Sequence, residues 1–452
     1  MKIWNPCNAF LRIESGDTVL LCDPWLTDGI YEGGWGIYPP LTKPKTEYLN
    51  GATHVFISHI HADHFDVDTL QLLPRSVTIL LPKVFPNHIM QMELAELGFS
   101  DIRMLEPSVS TVIAGELVAE VIAPMNGYAQ ELEYYLKQDD FKPSPTAIDS
   151  GLYLTDGHVR AVFLADNSPY DPRWMKTTLE KARGCDLLAF PYNGAASDYP
   201  LCYTNLQGEK GVQISNEREE KRANSTDAFI QLLRPKSLMP YSSDFAVCGP
   251  MAKAFVGYMD CWWADKAKVA DRYEKEHKLP CLRTSEHVTF QLHKGGVEEA
   301  RSDFKVPALS AIIGNYYSEQ PKTLAMYSAP ELSELEKSIK LALGHLQAAA
   351  QKNNLSCDRI LQLVLRDRSS ESPFVVDFEN FSLSREVPPG RLVISCILDS
   401  GYLFAILGGQ SHWNNAQLSF QLGWTREPNI YSHEFYMLLN FFHIPRALWK
   451  KA

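Results

Sequence analysis

The stretch SHIHADHFD, residues 58–66, places three histidines and two aspartates within nine residues. It follows directly on the apolar run VFI (residues 55–57), which is typical of a buried strand. In an extended segment alternate side chains lie on one face, so His59 and His61 are predicted to point the same way. Imidazole nitrogens are ligands for zinc, iron and manganese. The stretch therefore predicts a metal site at the end of this strand.

Asp63 and His64 lie where the chain is predicted to turn out of the strand. Side chains on such a turn can face a second ion beside the one that His59 and His61 bind. We therefore expect His59, His61, Asp63 and His64 to bind one or two divalent ions, with Asp63 alternatively acting as a proton shuttle. Zinc is the expected metal, and iron and manganese are the alternatives.

The bulk composition predicts a soluble globular protein. The chain has 452 residues, of which 45% are hydrophobic and 21% charged. Its net charge of −11 argues against a partner that is nucleic acid or an anionic membrane, because phosphate attraction needs a basic surface. Nine scattered cysteines without a C-x-x-C pair predict reduced thiols in a cytoplasmic protein. No segment offers the roughly 18 apolar residues of a membrane span.

Short strands and helices alternate along most of the chain. The apolar segments around Gly16-Asp17 and around Asp156-Gly157 predict two β-hairpins. Two halves of similar content favour an α/β layered fold with sheets at the centre. The charged stretch 207–224 predicts a solvated loop or helix face, with a mobile lid as the alternative. The stretch 294–308 predicts a linker to a further unit.

The motif HIHADH at residues 59–64 resembles the H-x-H-x-D-H signature of the metallo-β-lactamase fold superfamily. The resemblance implies an αββα sandwich, in which two mixed sheets are stacked between helices and the metals lie at one edge. We expect this fold over residues 1–300 and an accessory α+β unit over residues 301–452.

The same resemblance assigns roles to two further aspartates. It implies that Asp166, at the end of the apolar segment VFLAD, is the carboxylate that bridges two metals. It also implies that Asp23, in LLCDPW, is a structural residue next to the metals.

The sequence departs from the superfamily pattern at two positions where a histidine ligand is usual. Hydrolases of the superfamily usually have another histidine before the bridging aspartate and a last one in a Pro-x-His segment. The corresponding segments, residues 121–130 and 239–245, contain no histidine. A second metal is therefore expected to bind weakly or not at all. Four residues could replace the missing ligands, although a role in a turn or in support of a ligand explains each one better: Asn126, Asp149, Ser242 and Asp244.

Five strings along the chain resemble the CMP-N-acetylneuraminate hydroxylase family. They are DPWLT (23–27), ISHIHADH (57–64), NGAASDYP (193–200), FVVDFENFSL (374–383) and REPNIYSHEF (426–435). This resemblance implies a substrate similar to a nucleotide sugar. Members of that family resemble a fusion with a Rieske iron–sulfur domain, which needs paired C-x-H and C-x-x-H ligands. The sequence contains no such pair, so electrons would have to come from a separate redox partner.

Three functions follow from these observations. The leading one is a metal-dependent hydrolase acting on a small-molecule ester, amide, lactone or phosphodiester, because a bound metal makes hydroxide available near neutral pH. The second is an iron-dependent hydroxylase that acts on a nucleotide-sugar-like substrate. The third is a binding protein that kept the fold and lost the chemistry.

Overall fold

A computed structural model describes residues 1–84, 87–123, 149–167, 180–193, 198–248, 261–300 and 327–445. The strands in these ranges are β1 Lys2–Cys7, β2 Phe10–Ser15, β3 Thr18–Cys22, β4 Trp35–Ile37, β5 His54–Phe56, β6 Thr78–Pro82, β7 Ile102–Leu105, β8 Thr111–Ala114, β9 Leu117–Ile122, β10 Gly151–Thr155, β11 Arg160–Phe163, β12 Leu187–Pro191, β13 Leu238–Tyr241, β14 Phe245–Val247, β15 Thr289–His293, β16 Gly296–Ala300, β17 Arg359–Leu365, β18 Phe374–Asp377, β19 Ser382–Ser384, β20 Leu392–Leu398 and β21 Gly423–Glu427.

Helices alternate with these strands. They are α1 Lys45–Leu49, α2 Val67–Leu70, α3 Asn87–Glu96, α4 Glu209–Leu233, α5 Lys266–His277, α6 Leu332–Asn353, α7 Ser400–Leu407, α8 Trp413–Leu418 and α9 His433–Leu439. Short helical turns lie at Ile30–Gly33, Asp198–Leu201, Thr204–Leu206, Trp262–Ala264 and Arg366–Arg368.

The first sheet has eight strands in the order β16-β15-β1-β2-β3-β5-β6-β7. The predicted hairpin at Gly16-Asp17 is confirmed, since Ser15 pairs with Thr18 across the turn from β2 to β3. From β3 onward the strands run parallel, and the register Cys22 to Phe56 brings the carboxyl ends of β3 and β5 together. Residues that follow these two strands therefore emerge at one edge of the sheet.

The second sheet has six strands in the order β13-β12-β11-β10-β9-β8. The predicted hairpin at Asp156-Gly157 is confirmed by the antiparallel pairing of β10 with β11. Leu152 pairs with Phe163 in this hairpin. The residues just before β10 and just after β11 therefore lie side by side.

The hydrophobic core is arranged in layers. One cluster of buried side chains lies between the two sheets and includes Phe56 from the first and Phe163 from the second. A second cluster covers the outer face of the six-stranded sheet and includes Phe229 of α4 and Tyr273 of α5. A third covers the outer face of the eight-stranded sheet. This layering confirms the predicted αββα sandwich.

The C-terminal region forms an α+β unit on the outer face of the first sheet. Its sheet has the order β19-β18-β17-β20-β21, and its side chains belong to the same buried cluster as those of the first sheet. The Trp35 indole donates a hydrogen bond to the Leu418 carbonyl at 2.6 Å. A Cβ atom on Gly34 would lie 2.3 Å from the Ser419 Cα, so this contact requires glycine. The division at residue 300 stays a prediction.

The structure tests two expectations about individual segments. Most of the charged stretch 207–224 lies in the first part of the 25-residue helix α4, so the helix-face alternative is confirmed. This part of α4 buries Gly211, Ser215 and Glu219 at helical spacing. The predicted linker at 294–308 is wrong for its first part, because Gly296–Ala300 pairs with β15 and extends the first sheet.

All nine cysteines lie in the described ranges, are buried and form no disulfide bond there. Within the described ranges, no helix has both the length and the apolar character needed to cross a bilayer.

Candidate metal centre

The first sheet contributes Asp23 and the histidine motif from the ends of β3 and β5. The backbone N–H of Asp23 donates to the Phe56 carbonyl at 2.9 Å. Its φ of 47° turns the chain sharply at this point. Asp23, His59, Asp63 and His64 are all buried. The sheet edge thus carries several polar side chains out of contact with water, an arrangement that costs free energy unless they are paired or bind an ion.

Asp23 holds the two most buried histidines in position. The backbone N–H of Ser58 donates a hydrogen bond to Asp23 Oδ1, and the Ser58 hydroxyl donates one to Asp23 Oδ2. Both distances are 2.7 Å. The same Oδ2 lies 2.9 Å from His64 Nδ1, and Ser58 Oγ lies 2.9 Å from His59 Nδ1. Because each Nδ1 is engaged in this way, each Nε2 is left to face the site. Carboxylate partners of this kind orient metal-binding histidines.

The second sheet contributes Asp149 and Asp166. Asp149 lies two residues before β10 and Asp166 three residues after β11, so the hairpin register places them at one edge. Ala165, with a φ of 49°, turns the chain just before Asp166. The carboxylate of Asp166 lies 3.3 Å from His64 Nε2, and that of Asp149 lies 3.7 Å from His59 Nε2.

Two overlapping groups of ligand atoms result. In the first, His59, His64 and Asp166 have ligand atoms within 4.8 Å of one another. In the second, His59, His61 and Asp149 meet the same limit, and His59 Nε2 lies 2.9 Å from His61 Nδ1. His64 Nε2, Asp166 Oδ1 and Asp149 Oδ1 are buried without a hydrogen-bond partner. Nitrogen and oxygen atoms left in this state fit one or two divalent cations.

Asp63 belongs to neither group. Its Oδ1 accepts a hydrogen bond from the Tyr31 hydroxyl at 2.8 Å. Its Oδ2 accepts one from Asn8 Nδ2 at 3.1 Å and lies 3.3 Å from His64 Nε2. The Asp63 carboxylate is therefore held beside the ligand atoms by two neutral donors.

The pKa values of the three histidines are shifted in different directions. Burial and the neighbouring rings of His64 and His61 hold the pKa of His59 well below its usual value. Burial also lowers the pKa of His61. Burial opposes a charge on His64 as well, but the carboxylates around it, chiefly Asp63 and Asp166, raise its pKa well above the usual value.

The carboxylates are shifted in opposite directions. Removal from water and the nearby Asp166 raise the pKa of Asp149 to about 7. Removal from water also opposes the charge on Asp63, but the nearby His64 and His61 and the hydrogen bond from Tyr31 hold the pKa of Asp63 below its usual value. A strongly perturbed cluster of this kind at a sheet edge is typical of functional sites.

Of the four possible replacements for the missing histidines, the structure brings only Asp149 to the site among the described residues. The Ser242 hydroxyl donates to the Ala165 carbonyl at 2.7 Å and supports the turn before Asp166. Asp244 forms an ion pair with Lys266 and accepts from the Tyr192 hydroxyl at 2.7 Å. Asn126 lies outside the described residues.

The sequence predicted Asp149 only as one of four possible replacement ligands, and it predicted no role in the metal site for Asn8, Tyr31 or Ser58. A signal existed for Asp149, because it precedes one strand of the Asp156-Gly157 hairpin and Asp166 follows the other. No local pattern indicates Asn8 or Tyr31, which reach Asp63 across 55 and 32 residues of sequence.

Comparison with known proteins identifies the region that carries the site. Residues 18–223 match the model of the Beta-lactamase superfamily domain. This region is similar to the beta-lactamase superfamily. The matched range of the beta-lactamase superfamily domain includes Asp23, the motif at 59–64, Asp149 and Asp166.

Curated relatives are of more than one kind. A putative Rieske 2Fe-2S iron–sulfur protein of Mycolicibacterium smegmatis is 26% identical over 210 residues, which are 45% of this chain and 36% of that protein. Cytidine monophosphate-N-acetylneuraminic acid hydroxylase of Danio rerio is 22% identical over 249 residues, 54% of this chain and 38% of the relative. A UPF0173 metal-dependent hydrolase of Ruegeria pomeroyi is 41% identical over 71 residues, 16% of this chain and 26% of the relative.

These matches confirm the family resemblance seen in the sequence. The chain matches little more than a third of the length of the first two relatives. Among solved structures, CmlA, a diiron β-hydroxylase from Streptomyces venezuelae, is similar with a TM-score of 0.39 and 16% identity, over 67% of this chain and 54% of CmlA.

Proposed function

We propose that this protein is a metal-dependent hydrolase that activates water at a mono- or dinuclear centre. The observation that carries the proposal is the convergence of His59, His64 and Asp166, in which His64 Nε2 and Asp166 Oδ1 are buried without a hydrogen-bond partner. A divalent ion there supplies acidity, since such ions lower the pKa of water to about 7 and make hydroxide available. Zinc is the expected ion, with iron or manganese as alternatives.

The residues of the site have different proposed roles. His59, His61, His64 and Asp166 are assigned to metal binding, and Asp149 is added to them from its position in the second group. Asp63 is assigned to proton transfer, because its carboxylate is charged and lies beside the ligand atoms without belonging to either group.

The test is metal analysis combined with a substrate screen. The purified protein is expected to contain zinc or another divalent ion and to hydrolyse a small-molecule ester, amide, lactone or phosphodiester. His59→Ala should abolish both properties, whereas His158→Ala, at an exposed position on the second hairpin, should leave both unchanged. Metal-loaded protein without turnover in any of these four classes would contradict the hydrolase assignment.

A second candidate is an iron-dependent hydroxylase acting on a nucleotide-sugar-like substrate. It is favoured by the similarity to the Danio rerio hydroxylase and by the mixed imidazole and carboxylate ligands, which also suit iron. It requires electrons from a separate redox partner. Tightly bound iron together with substrate-dependent oxygen consumption would favour it, and zinc-dependent turnover without oxygen would exclude it.

A further inference from the structure

The loop of residues 29–35 touches both the candidate metal centre and the C-terminal region. Two adjacent residues make these contacts, Tyr31 with the metal centre and Glu32 with the C-terminal region. The Tyr31 hydroxyl donates to Asp63 Oδ1 at 2.8 Å, and the Glu32 carboxylate accepts a hydrogen bond from the Tyr402 hydroxyl of α7. Tyr327 also hydrogen-bonds to Glu32, and its ring packs edge-on against Tyr402 with centroids 5.3 Å apart.

The backbone of this loop is held in an uncommon conformation. Tyr31 has φ 49° and ψ 51°, and Glu32 has φ 58° and ψ 36°. Both lie in the left-handed region, which side chains of this size rarely adopt unless the surroundings enforce it. Such residues cluster at functional sites. The conformation is what allows neighbouring side chains to reach Asp63 and Tyr402 at the same time.

Internal hydrogen bonds make the loop a single unit. The N–H of Gly29 donates to the Trp35 carbonyl at 2.8 Å, and the N–H of Gly33 donates to the Gly29 carbonyl at 2.7 Å. Gly34 N–H donates to the Tyr31 carbonyl at 3.0 Å. A displacement at Glu32 is therefore transmitted to Tyr31.

Further contacts attach this unit to the C-terminal region. The Trp35 indole donates to Leu418, and Gly34 packs directly on Ser419. By contrast, the Tyr31 ring is held within the loop, edge-on to Trp35 with centroids 4.8 Å apart. The loop that carries the Tyr31 hydroxyl is thus in direct contact with residues 402, 418 and 419.

We propose that the C-terminal region sets the position of the Asp63 carboxylate through the 29–35 loop, so that Tyr31, Glu32 and Tyr402 are positioning residues for the metal centre. The inference rests on the proposed function, in which Asp63 handles the proton next to the metal ligands. It gives the C-terminal region a role in the site although it contributes none of the ligand atoms described above.

The test is hydrogen–deuterium exchange of the metal-free full chain, followed over the peptide that spans residues 58–66. Tyr402→Phe should speed exchange of this peptide by on the order of tenfold, as expected when one hydrogen bond to a charged group is lost. Tyr31→Phe should have the same effect, and the double variant should show no larger one, because both act through one chain of contacts. Glu32→Gln serves as a second variant if Tyr402→Phe does not fold.

The matched control is Tyr436→Phe. It also removes one hydroxyl from the C-terminal region, where Tyr436 is paired with Tyr203, and it should leave exchange of the 58–66 peptide unchanged. Unchanged exchange in Tyr402→Phe, or an equal increase in Tyr436→Phe, would overturn the proposal.

A second readout is the visible spectrum of the cobalt-substituted protein, which should change in Tyr31→Phe and Tyr402→Phe and not in Tyr436→Phe. An identical spectrum in all three variants would count against the proposal. If the wild-type protein binds no cobalt, zinc or iron, the proposed function fails, while the exchange experiment on metal-free protein still decides the coupling.

Discussion

The two sheets contribute unequal halves to the candidate metal centre. The histidine half, from the first sheet, is deeply buried: His59 and His64 are 0% exposed, and Asp23 and Ser58 engage their Nδ1 atoms. The carboxylate half, from the second sheet, is looser: the side chains of Asp149 and Asp166 are 22% and 18% exposed, and each has an oxygen without a hydrogen-bond partner.

This difference indicates a division of labour. A preorganised ligand loses little freedom when it binds an ion, so the histidine half should determine the affinity for the first metal. The carboxylate half is less constrained and should determine the number of ions and access of the substrate. Four substitutions test this comparison.

The largest effect is expected for His64→Ala. It removes a ligand that lies next to Asp63, Asp166 and Asp23 and leaves these carboxylates without their common partner. Metal affinity should fall by more than about 100-fold, since loss of a supporting residue alone costs 10–100-fold. The measurement is metal content after dialysis. His158→Ala is the control, and full retention of metal by His64→Ala would show that the histidine half does not hold the ion.

Asp23→Asn should have the next largest effect. It keeps the size of the side chain but removes the charge that orients His64 and, through Ser58, His59. We expect metal affinity to fall by about 10–100-fold, measured by competition with a chelating dye. Asp186→Asn, another buried carboxylate, which pairs with Lys236 instead, is the matched control. Equal losses in both variants would indicate general destabilisation.

Asp149→Asn should weaken metal binding by about tenfold at most, the lower end of that range. Asp149 belongs only to the second group of ligand atoms, so the first group stays intact. A titration that counts ions per chain should therefore retain one tightly bound ion in this variant. Complete loss of metal would reverse the comparison and make the carboxylate half the primary binding element.

Ser58→Ala should have the smallest effect. It removes the hydroxyl between Asp23 and His59 but leaves the direct contact between Asp23 and His64. Because a buried partner is left unsatisfied, stability should fall by about 1–3 kcal/mol, and metal affinity should fall less than in Asp23→Asn. Thermal unfolding with and without zinc measures both. A loss of affinity as large as that of Asp23→Asn would show that Ser58, and not Asp23, orients both histidines.

Much of the fold and part of the site could be predicted from local patterns. The hairpins at Gly16-Asp17 and Asp156-Gly157 were predictable because the turn residues and the flanking apolar runs lie within a few residues of each other. His59 and His61 were predictable for the same reason. The length of α4 was not, because its first half is highly charged and the positions that this half buries are small or polar.

Ligand roles that depend on distant parts of the chain could be assigned only from the family resemblance or from the structure. Asp166 looks like an ordinary turn residue in isolation, and Asp149 gains significance only when the register of β10 and β11 places it beside Asp166. Asp63 fits a ligand motif, yet Tyr31 and Asn8 hold its carboxylate. Spacing cannot identify these partners, since Asn8 and Tyr31 lie 55 and 32 residues from Asp63 along the chain.

The amino-acid sequence alone therefore determined the layered α/β architecture, the hairpins and the presence of a histidine-rich metal motif. These follow from periodicity and side-chain chemistry over short distances. Only the tertiary structure decided which carboxylates meet the histidines, how Asp23 orients them and that the C-terminal region reaches Asp63 through Tyr31. Strand register and packing between layers bring together residues that are up to several hundred positions apart, and no local pattern encodes that proximity.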